Sequence, residues 1–82
     1  MSVEEKVRTF ILENYLFTKD PAALANEDSL GDRGIVDSTG MLELINYLEE
    51  QFRLKVADDE MIPENLDSVS NIVAFVGRKQ PG

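Results

Sequence analysis

No cysteine, histidine or tryptophan occurs among the 82 residues. Without cysteine there can be no disulfide, no thiolate metal ligand and no thiol nucleophile, a composition that suits a reducing compartment. Without histidine, a serine nucleophile loses its usual base and is left with carboxylates or a desolvated lysine. Lys6, Lys19, Lys55 and Lys79 all stand in polar stretches that keep an ammonium solvated. Glycine forms no phosphate cradle, since Gly31 and Gly34 are isolated. No apolar run approaches the roughly 20 residues of a membrane span, and the first residues lack the basic-then-apolar layout of a signal peptide. Basic residues are scarce as well: 8 against 16 acidic, for a formal charge of −8. That charge repels phosphate backbones and anionic surfaces, which sets aside nucleic acid and membrane insertion. The expectation is a single non-enzymatic domain over residues 1–82, the whole mature protein, soluble, cytoplasmic and monomeric, because no heptad seam exceeds the needs of one small core.

The acids that are present are concentrated. Residues 27–67 hold twelve of them against Arg33, Arg53 and Lys55, so whatever docks on the middle of the chain is expected to be basic. Asp58-Asp59-Glu60 lacks the glycine and ligand spacing of a calcium loop, and no metal site is assigned. The carboxylate runs read as solvated faces rather than as an acid and base divided by environment.

Apolar spacing predicts an all-α bundle of three main helices and a short additional one, with a long first loop. The first helix is placed at about residues 2–16, opened by Ser2-Val3-Glu4-Glu5, with Val3, Val7, Phe10, Ile11 and Leu16 on one face. The pattern is then lost to residue 37, where Leu24, Leu30 and Ile35 are expected to pin the loop and Asp20-Pro21 to start a turn of helix. The second helix is expected over about residues 38–53, with Met41, Leu44, Ile45, Leu48 and Phe52 as its core stripe. Pro63 forbids one continuous helix beyond it, leaving a short segment at about residues 59–66 that buries Ile62 and Leu66. A last helix is placed at about residues 68–79, with Val69, Ile72, Val73 and Val76 inward and Phe75 beside them, before Gln80-Pro81-Gly82 frays.

Ser38 stands where the loop meets the second helix. An Asp-Ser pair before an apolar run reads as a helix start, because either side chain can accept a bond from the free N–H groups of the first turn. It also reads as a place where a phosphate-linked group could be attached and held by the helix's positive end. Asp-Ser occurs three times in the chain, and the other two are weaker candidates. Asp28-Ser29-Leu30 runs into Gly-Asp-Arg-Gly, which cannot open a stable helix; Asp67-Ser68 opens one, but without acids to receive a basic partner. Beside Ser38 the helical projection sets Leu42, Asn46 and Glu49 on one flank and Glu43 and Glu50 opposite the core, with Leu42 either partly exposed or at the core's edge.

Gly34-Ile35-Val36-Asp37-Ser38, then Met41-Leu42-Glu43-Leu44-Ile45 and Leu48-Glu49-Glu50-Gln51-Phe52, resemble the acyl carrier proteins over most of the chain. The resemblance implies a 4′-phosphopantetheine arm, taken from coenzyme A by a phosphopantetheinyl transferase, on Ser38 beside Asp37. The chain would be a phosphoprotein carrying an acyl or aminoacyl thioester for fatty-acid, polyketide or specialised biosynthesis. It also implies docking of loading and transfer enzymes, through basic patches, on Thr39, Leu42, Glu43, Asn46, Glu49 and Glu50. A cargo cavity is expected at Met41, Ile62 and Leu66. Thr39 replaces the family's usual leucine and Gly40 a frequent acid, while Asp-Ser-x-Gly-x-x-Glu-Leu is similar to carriers dedicated to an activated amino acid, such as the D-alanyl carrier. Two readings compete: an unmodified acidic module in which Ser38 is only a cap, and a small hydrolase that lacks a base.

Overall fold

The first helix, α1 (Val3–Asn14), begins as expected, on the Ser2 hydroxyl accepting from the Glu5 N–H at 3.1 Å. It stops two residues early, at the Tyr15 cap, and Phe17 turns the chain away with a left-handed φ of 53°. Val7, Ile11 and Leu12 are its buried residues, while Val3, Phe10 and Leu16 pack half-buried at the rim. The computed structural model describes residues 2–79; the expected fraying of Gln80-Pro81-Gly82 lies outside them.

Three further helices follow: α2 (Ser38–Phe52), α3 (Pro63–Leu66) and α4 (Val69–Lys79), with no strand among the described residues. This is the all-α bundle that the apolar spacing predicts, and it agrees with the acyl-carrier-like fold that the resemblance implies. The buried side of α2 is Leu44, Ile45, Leu48 and Phe52, joined by Gly40, with Met41 at its edge. Arg53, in the left-handed region, ends it, and the chain runs extended so that alternate residues Leu54 and Val56 turn inward. A 3₁₀ turn, Asp58–Glu60, precedes α3, and Pro63 stands at the first position of α3, where its missing N–H is harmless. Phe75 belongs to the core of α4 with Val69, Ile72 and Val76, whereas Val73 is half-buried. The closest helix packing is of α4 against α1 and α3.

The long loop is tied down twice. Leu24 and Leu30 are buried beneath it, with Val36, while Ile35 is half-buried. Asn26 receives Arg8 Nη1 at 2.7 Å, donates to Glu4 at 2.9 Å, and its carbonyl takes the Ser70 N–H at 3.0 Å. Asp67 takes the Ser29 hydroxyl and the Gly31 N–H on its carboxylate and the Leu30 N–H on its carbonyl. Loop and α3–α4 junction are thereby one unit, and the entry to α2 is held from behind.

Only Arg33–Asp28 and Lys79–Glu60 form ion pairs among the described residues, so most central acids face one another through solvent. Salt shortens the Debye length from ~30 Å at 0.01 M to ~8 Å at 0.15 M and relieves that repulsion. The melting temperature is expected to rise with sodium chloride over this range; a melting curve indifferent to salt contradicts the assignment.

Candidate functional site

The cap of α2 is Asp37, not Ser38. Asp37 is extended, with φ −93° and ψ −173°, and its Oδ1 accepts the Gly40 N–H at 2.7 Å. Sequence could not separate the two, because both residue types cap well. Ser38 is therefore the first helical residue, exposed, and among the described residues its hydroxyl has no hydrogen-bond partner. The other Asp-Ser serines are engaged: Ser29 donates to Asp67, and buried Ser68 accepts the Asn71 N–H at 3.1 Å.

Ser38 opens onto a groove of about 530 Å³ lined by Val36, Asp37, Met41, Leu42, Ile45 and Met61. The groove is apolar on its floor and open to solvent. An uncommitted hydroxyl, the positive end of a 15-residue helix and an adjoining apolar groove together fit a phosphodiester-linked arm. They do not fit hydrolysis: Asp37, the neighbouring carboxylate, accepts the Gly40 N–H through Oδ1, and among the described residues no base is hydrogen-bonded to the Ser38 hydroxyl, as an activated nucleophile would require.

Leu42 is 58% exposed, which settles the choice left open by the projection. Thr39, Glu43, Asn46 and Glu50 are exposed with it. Glu49 differs: it is half-buried, and its Oε2 accepts the Val56 N–H at 2.9 Å, holding the extended link against α2. Gly40 faces inward and is buried, so nothing docks on it directly. Met41, Ile62 and Leu66 line a second hollow, of about 150 Å³, together with Met61, Pro63 and Asp67. Ile62 is not buried as expected but 41% exposed: as the extended residue before Pro63 it lies at the lip while Leu66 reaches inward.

One contact gave no local signal in the sequence. The Tyr15 hydroxyl, from the end of α1, donates to the Gly40 carbonyl at 2.7 Å. Burial first, then the charges of Glu43 and Asp37, push its phenol from 10.0 up to about 12. A phenol raised in the folded state stabilises the fold fully below pH 10.0 and loses that contribution as pH climbs towards about 12. Melting temperature is expected to fall across that window, less steeply in Tyr15→Phe; equal slopes in the two proteins are the contrary result.

The D-alanyl carrier proteins of Streptococcus pyogenes serotype M1 and of Streptococcus uberis (strain ATCC BAA-854 / 0140J) are each 39% identical to this chain over 80 residues, 98% of both partners in each comparison. The chain belongs to the D-alanyl carrier protein family. It is thus a carrier of the acyl-carrier-like class, as its motifs implied. No protein-family model matches it. The expected link to fatty-acid biosynthesis and lipid metabolism is not supported, because relatives spanning nearly the whole chain are named for D-alanyl carriage. Thr39, Gly40 and the Asp-Ser-x-Gly-x-x-Glu-Leu pattern point the same way in the sequence. Among the described residues of this D-alanyl carrier family member, no helix is long and apolar enough to cross a membrane and no side-chain cluster is arranged to hold a metal ion.

Proposed function

We propose that the chain carries D-alanine on a 4′-phosphopantetheine arm joined to Ser38 and passes it from a loading enzyme to a transfer enzyme. The observation that carries this reading is the state of the three Asp-Ser serines: two are tied into the fold, while Ser38 is free at a helix N-terminus beside a groove. The names of the relatives support the cargo. The small hollow at Met41, Ile62 and Leu66 agrees with a short cargo better than with a long acyl chain.

In the attachment, a bond forms between Ser38 Oγ and phosphorus, and the P–O bond to the nucleotide half of coenzyme A breaks. The serine proton passes to a base of the phosphopantetheinyl transferase, since among the described residues no base of this chain is hydrogen-bonded to the Ser38 hydroxyl. Once bound, the arm supplies the thiol that holds the cargo as a thioester, which this cysteine-free chain lacks. The chain's own residues hold Ser38 at the helix's positive end and present Thr39, Leu42, Glu43, Asn46 and Glu50 to enzymes with basic docking patches. Glu49 adds charge from its half-buried place.

Intact mass after incubation with coenzyme A, magnesium and a broad-specificity phosphopantetheinyl transferase tests the reading. A gain of one phosphopantetheine, mapped by peptide fragmentation to Ser38, supports it; no gain with several transferases leaves an acidic binding module. Docking is tested separately. Reversing Glu43 and Glu50 to lysine is expected to raise the transferase KM about tenfold at low salt, with the difference shrinking at high salt. Helicity is expected to be unchanged, because both side chains are exposed; an unaltered KM contradicts the assigned surface.

A further inference from the structure

We infer that Tyr15 is a positioning residue for the modification of Ser38, acting through Gly40 at the first turn of α2. The inference rests on the reading of Ser38 as the attachment point. Three observations carry it. First, the Gly40 backbone is held on both sides: its N–H by Asp37 Oδ1 and its carbonyl by the Tyr15 hydroxyl, each at 2.7 Å. Second, Gly40 is a fitted notch. A Cβ there would lie 3.1 Å from Tyr15 Cε1, 3.2 Å from Asp37 Oδ1 and 3.4 Å from Val36 Cγ1, so a side chain at position 40 would oblige the ring or its neighbours to give by a few tenths of an ångström. Third, the Tyr15 ring is itself braced. Phe10 meets it edge-on at 5.7 Å and stacks at 4.0 Å on Tyr47, whose hydroxyl donates to the Lys6 carbonyl.

The consequence for Ser38 is geometric. Ser38 is two residues before Gly40 in the same turn, and its own side chain makes no hydrogen bond among the described residues. The position from which its hydroxyl projects is set by the backbone of that turn, and the Tyr15 phenol ties that turn to the end of α1. Freeing the turn leaves the docking residues Leu42, Glu43 and Asn46 in place but lets the nucleophile depart from the line of attack, where small displacements are costly. Tyr15 is expected to act on the chemical step rather than on docking.

Tyr15→Phe removes only the hydroxyl, and Gly40→Ala pushes on the ring while improving helix propensity. With coenzyme A and a phosphopantetheinyl transferase, each variant is expected to lower kcat by about tenfold with KM nearly unchanged. Amide hydrogen exchange is expected to quicken over residues 39–42 and to stay constant in α4. A merely structural role gives the opposite pattern for Gly40→Ala, whose better helix propensity would then protect the turn and leave kcat intact. Wild-type kcat in Tyr15→Phe overturns the inference, as does a loss of protection spread evenly over the chain. A wild-type protein that accepts no phosphopantetheine overturns the reading of Ser38 and this inference with it; a modified wild type with an indifferent Tyr15→Phe overturns this inference alone.

Discussion

Ser38→Ala is expected to abolish phosphopantetheine uptake while leaving the melting temperature within a degree or two of wild type, and Asp37→Ala is expected to do nearly the reverse. The contrast follows from which of the two residues is the cap. The Ser38 hydroxyl makes no hydrogen bond among the described residues and the residue is exposed, so replacing it exposes no orphan and removes no core packing; such surface changes stay within about 0.5 kcal/mol. Asp37 accepts the Gly40 N–H, and losing a cap of this kind costs about 1 kcal/mol. For a domain of this size that corresponds to a fall of roughly 4–8 °C. Uptake by Asp37→Ala is slowed, not lost, since the nucleophile remains. Intact mass and thermal melts of the two variants, measured side by side, decide the matter. A Ser38→Ala protein that still gains mass, or that melts as early as Asp37→Ala, overturns the assignment of roles at the head of α2.

The two adjacent residues also show how far sequence reaches. The existence of α2 and its stripe of Leu44, Ile45, Leu48 and Phe52 is legible because a helix repeats its apolar face every 3.6 residues, and fifteen residues sample that period fully. The junction itself is legible as a helix start, but not which oxygen caps it, because that depends on one ψ angle. Leu54 and Val56 alternate with exposed Arg53 and Lys55, a period of two too short to distinguish an inward-facing link from a simple connector. For Ile62 hydrophobicity argues for burial, but the residue before a proline is biased to an extended backbone, and in an extended segment hydrophobicity alone does not say which side chain faces inward. The Tyr15–Gly40 contact joins residues 25 apart in the chain, and periodicity carries no information at that separation. Gly40 could be noticed as a missing side chain; only the fold reveals what fills the space.

The largest effect on stability is expected from a residue far from Ser38. Phe75→Ala removes a ring that is 2% exposed, in the helix that packs on both α1 and α3. Arg78 covers its face, with the guanidinium 5.9 Å from the ring centroid. Truncations of this kind cost about 3–5 kcal/mol, because the transfer energy of the ring is lost and the cavity collapses only in part. At ~0.05–0.15 kcal/mol per residue, an 82-residue domain has a total stability of only about 4–12 kcal/mol. The central acids, repelling one another, place this chain towards the lower part of that range at low salt. The melting temperature is expected to drop by about 15–30 °C, and uptake at Ser38 is expected to fall with the folded fraction and to recover in part when salt is added. Leu42→Ala is the control: its side chain is 58% exposed, so the fold is expected to hold while docking weakens. The two variants separate the core that holds α2 in place from the face that α2 presents. A Phe75→Ala protein melting within a few degrees of wild type would mean that α4 is not the element on which α1 and α3 are assembled.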